Sequence, residues 1–123
     1  MLTSRQREGQ KGENLSLNFL KSLGYKIIAR NFRCRFGEVD IIAIENQTLI
    51  FVEVKTRSSL LFGQPYEAVN HKKLRSISKI AYYFRQINQK LPPLTRIDVI
   101  SVILSQQQDV LKIEHLKDVA GYS

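Results

Sequence analysis

Two alternating runs around a short polar turn constrain this chain more than anything else in it. Residues 38–43 place Glu38, Asp40 and Ile42 on one face and Val39, Ile41 and Ala43 on the other. Residues 50–55 place Phe51, Glu53 and Lys55 on one face and Ile50, Val52 and Val54 on the other. A period of two is the side-chain repeat of a β-strand. Glu45-Asn46-Gln47-Thr48 is the turn-like stretch between the runs, so an antiparallel hairpin is expected. A two-residue loop at Asn46-Gln47 pairs Glu45 with Thr48. Counting back then puts Asp40 opposite Glu53 and Glu38 opposite Lys55. A slip of one residue would turn one strand's set to the other face. Directly opposed residues have β-carbons about 4.5–5.5 Å apart. Two carboxylates at that spacing amid Ile and Val repel each other and lose hydration. A divalent cation bound between them removes the penalty. Lys55, one pleat further along, is then within reach of a water or a phosphate beside that cation.

The 123 residues are expected to form one domain, 1–123, with residues 1–9 a flexible basic arm. No apolar run approaches the length that crosses a bilayer, and Met1 to Glu8 lack the apolar core of a signal peptide. The single cysteine, Cys34, excludes an internal disulfide framework and suits a reducing cytoplasm. Two isolated histidines and one cysteine cannot make a zinc cage, so a bound metal would be a hard cation on oxygen ligands. The net charge of +8 is uneven. Residues 1–35 carry +6, 36–56 carry −3, 57–90 carry +6 and the remainder −1. An acidic centre between basic segments suits a polyanion drawn to a cation-loaded site.

Gln10 to Leu23 reads as a helix with Leu17, Phe19, Leu20 and Leu23 as its apolar residues and Gly24 as its stop. Glu13 falls in the first turn of that helix, where it would complement the dipole. Tyr25 to Arg30 reads as a strand, and Asn31 to Phe36 as a basic connection to the hairpin. Arg57 to Pro65 reads as a loop by its Ser, Gly and Pro content, a candidate for substrate contact. A second helix starts near Glu67 or Asn70 and runs to about Lys90. Its apolar stripe is Leu74, Ile77, Ala81 and Phe84, and Lys72, Arg75 and Lys79 share another face. Pro92-Pro93 ends it. Arg96 to Leu104 is a β-branched run with a continuous apolar middle, as in a central strand covered on both faces. Val110 to His115 reads as a last, edge strand. The order is helix, three strands, helix, strand, short strand. It implies an α/β fold in which a mixed sheet is flanked by helices.

Asp40, twelve residues, Glu53, one residue, Lys55 resembles the Asp…Glu-x-Lys signature of the restriction-endonuclease-like (PD-(D/E)xK) nuclease superfamily, and the same order of elements is that superfamily's core. The likeness extends through Gly9-x-x-Gly12-Glu13, Gly24-Tyr25, Arg30-Asn31, Gly37-Glu38-Val39-Asp40-Ile41-Ile42-Ala43 and Phe51-Val52-Glu53-Val54-Lys55-Thr56-Arg57. It continues in Phe62-Gly63-x-Pro65-x-Glu67-Ala68-Val69, Lys73 and Arg96-Ile97-Asp98-Val99. This set resembles the YraN-type uncharacterised bacterial protein family, which is similar in turn to archaeal Holliday-junction resolvases. Ser16 stands where that family more often has Ala, a packing detail.

The resemblance implies a Mg²⁺- or Mn²⁺-dependent, structure-selective endodeoxyribonuclease of DNA repair or recombination. Mg²⁺ takes few protein carboxylates, so Asp40 and Glu53 suffice to hold it, with a backbone carbonyl near Val54 as a further ligand. Lys55 would orient or deprotonate the attacking water or stabilise developing charge on phosphorus. By likeness to the resolvases, Glu13 would reach the site from the first helix. Glu38 would pair with Lys55. Arg33, Arg35, Arg57, Lys72, Lys73, Arg75 and Lys79 are the candidate phosphate contacts. No helix-turn-helix or finger pattern offers base reading, so shape-directed binding of branched DNA is expected. By analogy, symmetric cutting of a two-fold junction takes a two-fold homodimer. The alternatives are a non-catalytic nuclease-fold DNA-binding module of a larger complex, an RNA-processing nuclease, and a hairpin whose charged face is merely solvated.

Overall fold

The computed structural model describes residues 1–58 and 69–121. Most of the expected substrate loop, and the helix start near Glu67, lie outside the described residues. Helix α1 (Ser4–Ser22) is followed by strands β1 (Lys26–Cys34), β2 (Gly37–Glu45) and β3 (Thr48–Ser58). Helix α2 (His71–Ile87) then leads to β4 (Leu94–Leu104) and β5 (Val110–Leu116). The strands form one five-stranded sheet in the order β1-β2-β3-β4-β5. Three neighbouring pairs are antiparallel, and β3 and β4 run parallel. The parallel pair follows from connectivity, because α2 carries the chain back across the sheet. This is the expected α/β order. Among the described residues, no helix is long and apolar enough to cross a membrane.

The hairpin has the expected register. Ile41 faces Val52, Ala43 faces Ile50 and Glu45 faces Thr48. Asn46 takes the left-handed conformation that a two-residue loop asks for (φ 52°). The two faces of the sheet form two cores. Ile41, Ala43, Ile50, Val52, Ile100, Val102 and Leu104 pack with Leu17 and Leu20 of α1. Ile42, Leu49, Phe51 and Ile97 pack with Ile77, Ile80, Ala81 and Phe84 of α2.

Two boundaries differ most from expectation, while α2 ends three residues early at Ile87 and β4 starts two residues early at Leu94. Helix α1 starts at Ser4 rather than Gln10, so residues 4–9 of the expected arm are helical. The cause is a capping box: Thr3 Oγ1 accepts from the Gln6 N–H (3.1 Å) and Gln6 Oε1 accepts from the Thr3 N–H (2.8 Å). The helix ends as expected at Gly24 (φ 90°), where the Tyr25 N–H reaches the Leu20 carbonyl (3.0 Å). Strand β1 runs on to Cys34 through the expected connection, because Phe32 and Cys34 turn inward while Arg33 and Arg35 stay exposed.

A buried polar network ties the chain together on the α1 side. Asp98 is fully buried. It accepts from Arg96 Nε (2.8 Å) and Nη2 (3.0 Å), His115 Nε2 (2.8 Å) and the Asp118 N–H (3.0 Å). Arg96 Nη2 also donates to the Tyr25 hydroxyl (3.0 Å). Burial alone would raise the Asp98 carboxyl, but His115, Arg96 and the Asp118 N–H together hold it below its ordinary 3.8. Removing one member of a buried pair leaves the other charge uncompensated, so Asp98→Ala should cost about 3–5 kcal/mol in urea unfolding at neutral pH. A loss near zero would contradict this role. The depressed carboxyl stabilises the fold above its unfolded value and stops doing so as pH falls through its folded one. Wild type should therefore lose stability on acidification below about 3.8.

Candidate active site

The site lies where β2 and β3 part. Their paired register runs as far as Ile41–Val52. One step on, Asp40 Oδ2 accepts the Val54 N–H (2.7 Å). A continued ladder would have given that N–H to the β2 backbone. Strict alternation fails at the same point: Ile41 and Ala43 pack on the α1 side and Ile42 on the α2 side, but Val39 joins Ile42 on the α2 side instead of Ile41. The Asp40 carboxylate thus ends the ladder, and Asp40 and Glu53 face each other across the opening.

Glu53 is the more buried of the Glu53–Lys73 pair, with side-chain exposures of 16% and 33%. Its Oε2 lies 3.3 Å from Lys73 Nζ at the start of α2. Its Oε1 is buried with no hydrogen-bond partner among the described residues. Burial, and then the facing Asp40 carboxylate, with which a protonated Glu53 would share its proton, push Glu53 from 4.5 up to about 8. The Lys73 ammonium pulls the other way without winning.

Asp40 also lines a cleft of about 770 Å³ between the first half of α1 and the end of β3. Glu13, Lys55, Thr56 and Arg57 line it too, as do Arg5 and Glu8. Because α1 starts at Ser4, Glu13 is in mid-helix and not in the first turn, so it does not serve the helix dipole as expected. Its Oε1 is held by Arg30 Nε on β1 (2.6 Å). Helix α1 comes close to β3 here because Gly12 has no side chain. A β-carbon at Gly12 would lie 1.7 Å from Thr56 Oγ1 and 2.8 Å from Thr56 Cβ. Helix and strand would have to move apart, so Gly12→Ala should lose about 1–3 kcal/mol in urea unfolding. An unchanged midpoint would mean that the contact gives way freely.

The basic candidates fall into three groups. Lys55 and Arg57 are at the cleft. Arg33 and Arg35 are exposed beside the β1–β2 turn, with Arg33 paired to Glu38 (3.1 Å) and Arg35 4.8 Å over the Phe36 ring. Glu38 therefore meets Arg33, its neighbour across β1–β2, in place of the expected Lys55; the β2–β3 ladder ends before reaching that pair. Lys72, Arg75 and Lys79 are exposed on α2. Lys73 departs from them to contact Glu53, and its Nζ donates to the Glu38 carbonyl (3.1 Å). Sequence reasoning missed Arg5 and Arg30, and gave Lys73 to the phosphate contacts. Arg5 lay in the expected arm. The pairings of Arg30 and Lys73 are tertiary, and no spacing announces them.

The donors suit a hard divalent cation. All are carboxylate oxygens, and Glu53 Oε1 is a buried acceptor with no donor among the described residues. Among the described residues, no group of three or more His, Cys, Asp or Glu forms a metal cage. Two carboxylates are enough for an ion such as Mg²⁺ that keeps several of its waters. The raised Glu53 has a consequence without metal. Between about 4.5 and 8 the folded state holds a proton that the unfolded chain has released. Stability therefore falls as pH rises through that window. Urea unfolding in chelator should show the decline in wild type and a flatter profile in Glu53→Gln; equal slopes would contradict it.

With this geometry in view, residues 12–102 match the "Uncharacterised protein family UPF0102". Relatives called UPF0102 protein agree over most of their length. One from Caldicellulosiruptor saccharolyticus is 44% identical over 115 residues, covering 94% of this chain and 98% of the relative. One from Geobacter metallireducens is 46% identical over 108 residues, covering 88% and 87%. One from Moorella thermoacetica is 38% identical over 117 residues, covering 95% and 98%. Fold and site define an α/β protein with two facing carboxylates at a strand opening, one of them lining the adjoining cleft. The chain belongs to the UPF0102 family, the YraN type.

Proposed function

We infer that this chain is a Mg²⁺- or Mn²⁺-dependent endonuclease acting on DNA by shape, with branched or otherwise irregular DNA as its substrate class. One observation carries the reading: the half-buried Asp40–Glu53 pair, in which the buried Glu53 Oε1 has no hydrogen-bond partner among the described residues. A structural ion pair would not leave a buried carboxylate oxygen without a protein partner beside a second carboxylate. Asp40 and Glu53 would hold the cation, which supplies an activated water and neutralises phosphate charge when bound.

The chain's own residues do the rest. Lys55, exposed at the cleft, is placed to orient a water or to stabilise negative charge on the phosphate. Glu13, fixed by Arg30, offers an acceptor to the same water from the helix side. Arg57 and Arg5 add positive charge along the cleft for the backbone on either side. Lys72, Arg75 and Lys79 continue that charge on α2. A two-fold pair of chains would suit a two-fold junction.

The test is cleavage of branched, flapped, nicked and single-stranded DNA, and of matched RNA, with Mg²⁺ or Mn²⁺. Asp40→Asn should lower DNA cleavage by about a hundredfold or more. No cutting of any DNA by wild type, with DNA bound alike by wild type and Asp40→Asn, would contradict the enzyme and leave a binding module. Preferential cutting of RNA would move the substrate class.

A further inference from the structure

Each carboxylate of the pair is anchored by one oxygen. Asp40 Oδ2 takes the Val54 N–H, and Glu53 Oε2 takes the Lys73 ammonium. Lys73 is itself anchored. Its backbone N–H is capped by the Asn70 side chain (2.9 Å), which fixes the start of α2. Its ammonium also donates to the Glu38 carbonyl (3.1 Å), so it joins β2 to β3 across the opening. One helical turn on, Ser76 Oγ donates to the Phe36 carbonyl and holds α2 over the β1–β2 turn. A long, flexible side chain loses considerable freedom in being held this way. A solvent-facing phosphate contact would not need it.

We propose that Lys73 is a positioning residue for the divalent-cation site, holding Glu53 by Oε2 so that Oε1 is presented beside Asp40. The proposal rests on the cation reading given above. The competing idea is a placeholder, an ammonium that stands in for the cation and must leave when it arrives. A placeholder would bridge the two carboxylates. Among the described residues Lys73 forms an ion pair with Glu53 and none with Asp40, and Glu53 Oε1 stays open. Partners that orient a ligand from behind typically change metal affinity about 10–100-fold when removed.

The two ideas predict opposite signs. Calorimetry with Mn²⁺ alone, on the full chain without DNA, should show Lys73→Met binding about tenfold or more weakly than wild type. Lys73→Arg, which keeps a charged donor, should recover most of the loss. Lys73→Gln should weaken binding in the same direction, and it serves if Lys73→Met does not fold. Unchanged or tighter binding in the Met and Gln variants would overturn the positioning role while leaving the cation reading intact. No Mn²⁺ binding by wild type would overturn the cation reading itself, and this role with it.

Discussion

The Asp40 carboxylate accepts a backbone N–H that the β-ladder would otherwise use, and much of the molecule is arranged around that exchange. Because Val54 bonds to a side chain, β2 leaves β3 while β3 continues beside β4 as far as Ser58. The sheet stays whole on one side and opens on the other. Glu53 occupies the opening, largely shielded from solvent between Asp40 and Lys73. Helix α2 reaches it from one face through Lys73, and α1 lies close to the next turn of strand at Thr56 from the other.

The fold was legible where one periodicity sufficed. Alternation in residues 38–43 and 50–55, together with Asn46-Gln47, gave the hairpin and its register. Leu74, Ile77, Ala81 and Phe84 gave the inner face of α2, and the apolar middle of Arg96–Leu104 gave the central strand. Boundaries were less legible because weaker signals competed. Thr3 and Gln6 carry a capping box, but Gly9 and Gly12 argue against helix to a reader who cannot see Gly12 pressed against Thr56. Phe32 and Cys34 alternate with arginines, yet so short and basic a run reads as a connection.

At the site, the residues were legible and their couplings were not. Asp40, Glu53 and Lys55 follow from register, and Glu13 and Arg57 line the cleft that the register opens. The break in alternation at Asp40 was hidden, because a carboxylate that caps a neighbouring strand looks in sequence like one that faces outward. The pairing of Glu38 was misjudged for that reason: its partner follows from β1–β2, the ladder that persists. Lys73 shares its spacing with an exposed basic stripe, and only the landing of α2 on β3 takes it out of that stripe. Arg30 is joined to Glu13 by the packing of α1 over β1, which no local pattern records.

Asp40, anchored through Oδ2, and Glu53, anchored through Oε2 with Oε1 left without a partner among the described residues, would together hold a divalent cation. Crystals grown with Mn²⁺ and measured near its absorption edge test it most directly. An anomalous peak is expected in contact with both carboxylates, with Glu53 Oε1 among its ligands and Lys73 still on Oε2. Mn²⁺ bound elsewhere, or a site from which Asp40 and Glu53 turn away, would contradict it.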